Sequence, residues 1–223
     1  MPLRDDLLNP IAGPDPSGPS LRYDRVYDQI KEARTEEDDS IPAGAWERQA
    51  KRADYNLAIK LAGEALATRS KDLQIAAWLG ESLIKKEGIH LLPSVLTLFL
   101  DLQKTFWETL HPEIDEGDAG LRAVPLDWSA NRYSRLVYEA PITRSGVSFH
   151  QYRAARALGR ADSATGEAAR AAREAAIARG QATSEDVDAA IASTPKSFYA
   201  NLHDTLQGAT ELLEELSVFC EEQ

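Results

Sequence analysis

Arg69-Ser-Lys-Asp-Leu-Gln-Ile-Ala-Ala-Trp-Leu-Gly-Glu-Ser-Leu-Ile-Lys-Lys-Glu-Gly88 is the stretch on which the fold turns. Eight of the twelve residues from Leu73 to Ile84 are apolar. Gln74, Glu81 and Lys85, spaced by seven and four, share one narrow stripe of a helix, and the rest of the cylinder is apolar or small. A helix of that kind is buried on most sides, so other helices must surround it. Asp72 is a good N-cap, because its carboxylate can accept a bond from an amide one turn in. Gly88 suits the left-handed residue that ends a helix, and Lys85 and Lys86 lie near its negative end. Arg69 closes the preceding helix, which leaves Ser70 and Lys71 as a tight corner between antiparallel helices.

Working outward, Pro2, Pro10, Pro14, Pro16 and Pro19, with Gly13 and Gly18, make residues 1–19 an irregular leader. Ser20 can cap a first helix to about Glu36, with Tyr23, Val26, Tyr27, Ile30 and Ala33 on one face. Glu36–Ser40 reads as a solvated acidic loop. A second helical region begins near Trp46, and Asp54 caps a fresh helix whose face is Leu57, Leu61, Ala65 and Leu66. After the central helix, another runs from Leu91 or Leu92 to Leu110, with Pro93 tolerated in its first turn. His111-Pro112 stops it, and an acidic loop follows. Pro125 starts a helix that ends before Pro141. Ile142–Ser148 reads as an extended link, Phe149–Leu158 as a helix and Gly159–Gly166 as a flexible connection. Glu167–Arg179 is an alanine- and arginine-rich helix with little to bury. Thr183 or Ser184 caps a short helix to Ala192. Thr194-Pro195 opens a last helix with an apolar face of Phe198, Tyr199, Leu202, Leu206, Ala209, Leu212, Leu213, Leu216 and Phe219. That face packs on the body, against a partner, or both. No period-two strand of any length occurs. The expected fold is all-α: a multi-helix bundle with a nearly buried central helix over about 73–87 and a long C-terminal helix.

The 223 residues carry 25 Lys and Arg against 36 Asp and Glu, a net charge of −11. That balance argues against nucleic acid, whose binders carry a basic footprint. One cysteine, Cys220, suits a reducing compartment and excludes an internal disulfide. The N-terminus has acids where a secretory signal needs an apolar run, so a cytoplasmic location is expected. The most apolar window, Leu91–Leu100, falls short of the roughly 20 residues of a membrane helix.

No constellation for chemistry emerges. The four histidines, His90, His111, His150 and His203, show no i, i+4 pair and no His-Glu-x-x-His, so no metal or cofactor is expected. Glu113–Asp118 lacks the twelve-residue spacing and terminal Glu of a calcium loop and reads as a solvated acidic turn. Gly13–Gly18 lacks the Gly-Lys-Ser/Thr ending of a phosphate loop. Arg153, Arg156 and Arg160 share a helix face. Two readings stand for them: a solvated face held by charge pairs, or a site for an anionic patch on a partner. Trp78, Trp107 and Trp128 fall on expected core faces. Trp46 follows a Pro- and Gly-containing loop and either folds onto the helices or serves as an exposed anchor.

In order along the chain stand Pro16-Ser-Gly-Pro-Ser-Leu21-Arg22-Tyr23-Asp24, Ile30-Lys-Glu-Ala-Arg34, Gly44-Ala-Trp46, Asp54-Tyr55, Arg69-Ser70-Lys71-Asp72-Leu73 through Trp78 to Leu83, Phe106-Trp107, His111-Pro112 and Arg122. This ordered set resembles the ImpA-type N-terminal domain of TssA proteins, components of the bacterial type VI secretion system, over roughly residues 8–140. The Thr194-Pro-Lys-Ser-Phe-Tyr199 helix resembles the segment that closes this region. The implied organisation is a leader, a helical core over 20–140 and a closing extension over 141–223. The resemblance implies a non-enzymatic role in tail assembly, with baseplate, sheath and tube proteins as partners. It implies self-association too, with the main oligomerisation domain outside this chain. Sheath-terminating accessory relatives share the same domain, so the subtype stays open.

Overall fold

The computed structural model describes residues 3–37, 51–160 and 166–223. Trp46, the Gly44-Ala-Trp46 motif, residues 38–40 of the acidic loop and residues 161–165 of the Gly159–Gly166 connection lie outside them. Among the described residues the chain is all-α, with isolated β-bridges and no sheet. It divides into two compact units: the described parts of Met1–Tyr133 together with Gly208–Gln223, and Ser134–Gln207.

In the first unit, α1 (Arg25–Ala33), α2 (Tyr55–Thr68) and α4 (Leu92–Phe106) surround α3 (Leu73–Glu87). α3 is buried from Leu73 to Ile84 except at Gln74; the apolar positions are buried as its sequence predicts, and Glu81, on the expected polar stripe, is buried with them. Asp72 caps it, its Oδ1 accepting from Gln74 N at 2.7 Å and Ile75 N at 3.1 Å. Gly88 ends it at φ 112°, a conformation that side chains resist. Gly80 permits close packing, because a Cβ there would collide with the Tyr133 hydroxyl and Val95. That hydroxyl donates to Ala77 O at 2.8 Å. Trp78 meets Tyr27 edge-on at 4.5 Å.

Five local expectations shift. α1 begins after Asp24, not Ser20, because the Asp24 carboxylate accepts from Val26 N at 2.8 Å and caps the helix there. Tyr23 therefore precedes the helix and is 95% exposed, while Leu21 is buried. α2 buries Ala58, Ala62, Gly63, Ala65 and Leu66, and leaves Leu57 exposed. Small residues let α2 approach α3 closely, which a face of leucines would prevent. α4 stops at Phe106 rather than Leu110. α5 (Gly120–Glu139) begins a turn before Pro125, which lies inside the helix. The Gly208–Gln223 part of α9 (Lys196–Glu222) packs on α4: Phe219 meets Trp107 edge-on at 5.4 Å and Glu215 pairs with Lys104. Leu213, expected on the packed face, is exposed.

In the second unit, α6 (Phe149–Leu158), α7 (Glu167–Ala178) and α8 (Ser184–Ser193) follow the end of α5 and precede the start of α9. Reciprocal capping boxes start α6 (Ser148 with Gln151) and α8 (Thr183 with Asp186). α6 packs on α8 through Ala155 and Val187, and Ser184 Oγ donates to Ala155 O at 2.9 Å. Ile142–Ser148 is not an extended link but a closed turn, with Ile142 N on Val147 O at 2.8 Å and Pro141 bridged to Ser148.

Candidate functional site

The corner between α2 and α3 is tied to two distant segments. Lys71 N donates to Ser17 O at 2.7 Å, and Lys71 O accepts from His111 N at 2.9 Å. His111 O in turn accepts from Leu73 N at 2.9 Å, so residues 72 and 111 form a single parallel rung. His111 Nε2 lies 2.8 Å from Gly18 O, and the Ser17 and Thr109 hydroxyls are 2.7 Å apart. The leader, the helix corner and the loop after α4 thus share one hydrogen-bonded knot. Lys71 is fully buried, its Nζ donating to Leu7 O at 2.7 Å and Leu66 O at 2.6 Å. Burial pulls its ammonium down to about 8. Arg69, at the edge of the knot, forks onto Asp24, with Nη2 2.6 Å from Oδ2. That hydrogen bond holds the Asp24 carboxyl below the usual range.

Arg122, from the first turn of α5, is buried below the C-terminus of α4. Its Nε donates to Pro112 O at 2.8 Å, Nη1 to Trp107 O at 2.5 Å and Nη2 to Leu110 O at 2.6 Å. Its guanidinium carbon lies 4.5 Å from the Trp107 ring centre. A cation there opposes the partial negative charge of the helix end and satisfies carbonyls the helix leaves open. Trp107 and Pro112 thus serve as platform and acceptor for one buried cation.

A second buried charge cluster lies further along α3. Glu81 is fully buried; Arg34 Nε donates to its Oε2 at 2.5 Å and Arg132 Nε to its Oε1. Arg34 is sandwiched between Trp78 (5.6 Å) and Trp128 (4.8 Å). The polar stripe of α3 is therefore filled at Glu81 by Arg34, which follows the last residue of α1, and by Arg132 of α5.

Between the knot and α5 opens a cleft of about 530 Å³. Asp72, Gln74 and His111 form its inner end, and Arg22, Leu121 and Val124 stand at its mouth. Ser70, also in the corner, is buried with no partner for its hydroxyl among the described residues.

In the second unit, Arg153, Arg156 and Arg160 are all exposed on and beyond α6. Asp188 takes two of them, Arg156 Nη2 at 2.6 Å and Arg160 Nη2 at 2.8 Å. Arg153 makes no ion pair among the described residues. The same helix carries an aromatic cluster: Phe149 lies 6.2 Å from Tyr152 and 5.5 Å from Tyr138, and Arg156 covers Tyr152 at 5.1 Å.

The structure brings Arg69, Lys71, Asp72 and Pro112 into one region, with Leu21 and Leu73 buried and Arg22 at the cleft. Trp78 lies beyond them along α3. Glu81, Arg34 and Arg132 escaped the sequence reading as a cluster, since no spacing links positions on three helices. Among the described residues, no group of three or more His, Cys, Asp or Glu is placed to hold a metal ion.

These features define an all-helical domain whose buried charges bind its own segments together. Residues 8–131 match the family described as ImpA, N-terminal, type VI secretion system. The chain belongs to that family. It is also similar to a solved structure from Burkholderia cenocepacia, the N-terminal domain including the conserved ImpA_N region of the TssA component of the type VI secretion system. The two share 30% identity at a TM-score of 0.79, over 96% of this chain and 80% of that one. No curated protein matches the sequence.

Proposed function

We propose that this chain is a non-catalytic assembly component of the type VI secretion system, working in the bacterial cytoplasm by docking onto baseplate, sheath and tube proteins. The observation that carries this reading is the match to a type VI secretion component along nearly the whole chain. The α6 face is the docking surface we favour. Two guanidiniums on one Asp188 carboxylate, with Arg153 beside them, leave it positive in a chain of net charge −11. Phe149 and Tyr152 add the aromatic anchors that, with arginine, dominate interface energetics.

The test is co-purification of the full chain with separately tagged baseplate, sheath and tube proteins from one secretion locus. At least one should be retained, and Arg153→Glu with Arg160→Glu should weaken retention while leaving the chain folded, the lost Arg160–Asp188 surface pair lowering the melting temperature by no more than a few degrees. Retention of none of the three would refute the docking role. Undiminished retention by the double variant would move the surface elsewhere.

A further inference from the structure

The cleft beside α3 contains a carboxylate oxygen that the fold does not use. Asp72 is only 4% exposed. Both of its capping bonds fall on Oδ1. Oδ2 accepts no hydrogen bond from any described residue. Burial pushes the Asp72 carboxyl up, as expected for a charge with half of its acceptor capacity empty. Next to it, the Gln74 side-chain amide nitrogen is buried with no partner. His111 does not fill the gap: its Nε2 faces Gly18 O, and its Nδ1 lies 3.6 Å from Glu113.

The walls have a definite chemistry. Asp72, Glu113 and Asp115 face one cation, Arg22, so the lining is acidic in balance. Leu121 and Val124, on the first turns of α5, are 50% and 61% exposed and form an apolar lip. A volume of about 530 Å³ suits a few side chains. A single available carboxylate oxygen at the inner end matches a compact ammonium on an alkyl stem better than the two-pronged guanidinium.

We propose that this cleft receives an extended segment of a partner protein that carries a lysine among apolar residues, its ammonium on Asp72 Oδ2 and its apolar neighbours on Leu121 and Val124. The inference rests on the docking role only in calling the occupant a partner. It concerns a different surface from α6, and its test uses this chain alone.

The probe is a set of labelled five-residue peptides, capped at both ends, with leucine at positions two and four and a varied centre. Binding to the full chain is read by fluorescence anisotropy at low salt. The lysine-centred peptide should bind at least about tenfold tighter than its norleucine twin, which keeps the stem and removes the charge. Asp72→Asn should abolish that preference, since asparagine caps a helix as well as aspartate and the fold stays intact. Val124→Lys, at an exposed helical position, should weaken the lysine peptide by like-charge repulsion and gives an independent reading of the same site. Equal binding of the two peptides, preference for a glutamate centre, an unchanged preference in Asp72→Asn, or no binding by any peptide would each overturn the proposal. Displacement of the peptide by equimolar n-butylamine would overturn it too, because the site would then hold a small amine and not a segment of chain.

Discussion

Arg122→Met offers a sharp test of how the first unit is held together. The substitution keeps most of the alkyl stem and removes the guanidinium. Three charge-assisted bonds to the carbonyls of Trp107, Leu110 and Pro112 disappear, together with the stacking on Trp107. At about 1.5–3 kcal/mol for each hydrogen bond to a charged group, the gross loss is on the order of 5–9 kcal/mol. Burying a guanidinium without a carboxylate partner opposes this, since desolvation costs several kcal/mol per ion. Burial does pull the Arg122 guanidinium down from its ordinary value, so the penalty is present. The net loss should be about 3–5 kcal/mol, a large share of the 5–15 kcal/mol typical of a domain. Arg122→Lys should recover only part, because one ammonium cannot reach three carbonyls arranged for a planar fork. Urea unfolding followed by tryptophan fluorescence measures it, with the midpoint expected to fall and the slope to hold. If Arg122→Met unfolds within about 1 kcal/mol of the unaltered chain, the guanidinium does not join α4, its following loop and α5, and the reasoning fails.

Other perturbations probe the remaining buried groups. Glu81→Gln should destabilise by about 2–4 kcal/mol in the same assay, because Arg34 and Arg132 keep their charge and lose its counterpart; a neutral result would mean that water already screens the trio. Gly80→Ala should lower the melting temperature although alanine favours helices, since overpacking against Tyr133 and Val95 costs about 1–3 kcal/mol against a propensity gain of about 1 kcal/mol. A higher melting temperature would show that Tyr133 moves aside freely. Lys71 makes a pH prediction. Between about 8 and the ordinary lysine value of 10.5, the unfolded chain holds a proton that the folded chain has released, so the Lys71 contribution to stability rises with pH across that window. Tyr27, pushed up to about 12 by burial, and Tyr133, pushed up as well, act oppositely from about pH 10 upward. Chemical denaturation of the unaltered chain and Lys71→Met at several pH values should show the stability difference moving in favour of the unaltered chain from about pH 8 to 9.5. A difference that does not vary with pH would mean that Lys71 keeps an ordinary titration.

Features set by neighbours in the chain were legible before any coordinates. Asp72 and Asp54 cap where their positions predict, Gly88 ends α3, and the two-residue corner at Ser70 and Lys71 is present. A cap is a contact over two or three residues, so sequence order alone places its donor and acceptor. The start of α1 escaped for the same kind of reason with a distant partner: Ser20 and Asp24 are both competent caps, and Arg69, on the far side of α2, holds Asp24 in place. The packed face of α2 escaped because periodicity favoured the larger leucines, whereas the close approach to α3 selected alanine.

By itself, the sequence determined that the chain is helical, that α3 lies at the centre, and which family its ordered motifs resemble. Those depend on hydrophobic period and on local caps, which are properties of adjacent residues. Only the tertiary structure decided the use of each charge. Glu81 reads as the solvent stripe of a helix until Arg34 and Arg132 arrive from two others. Lys71 reads as part of a tight corner until the carbonyls of Leu7 and Leu66 enclose its ammonium. Asp72 reads as a cap and nothing more until the loop after α4 joins it in lining a cleft. A charge acquires its role from whatever replaces its water, and those replacements come from positions tens of residues away along the chain.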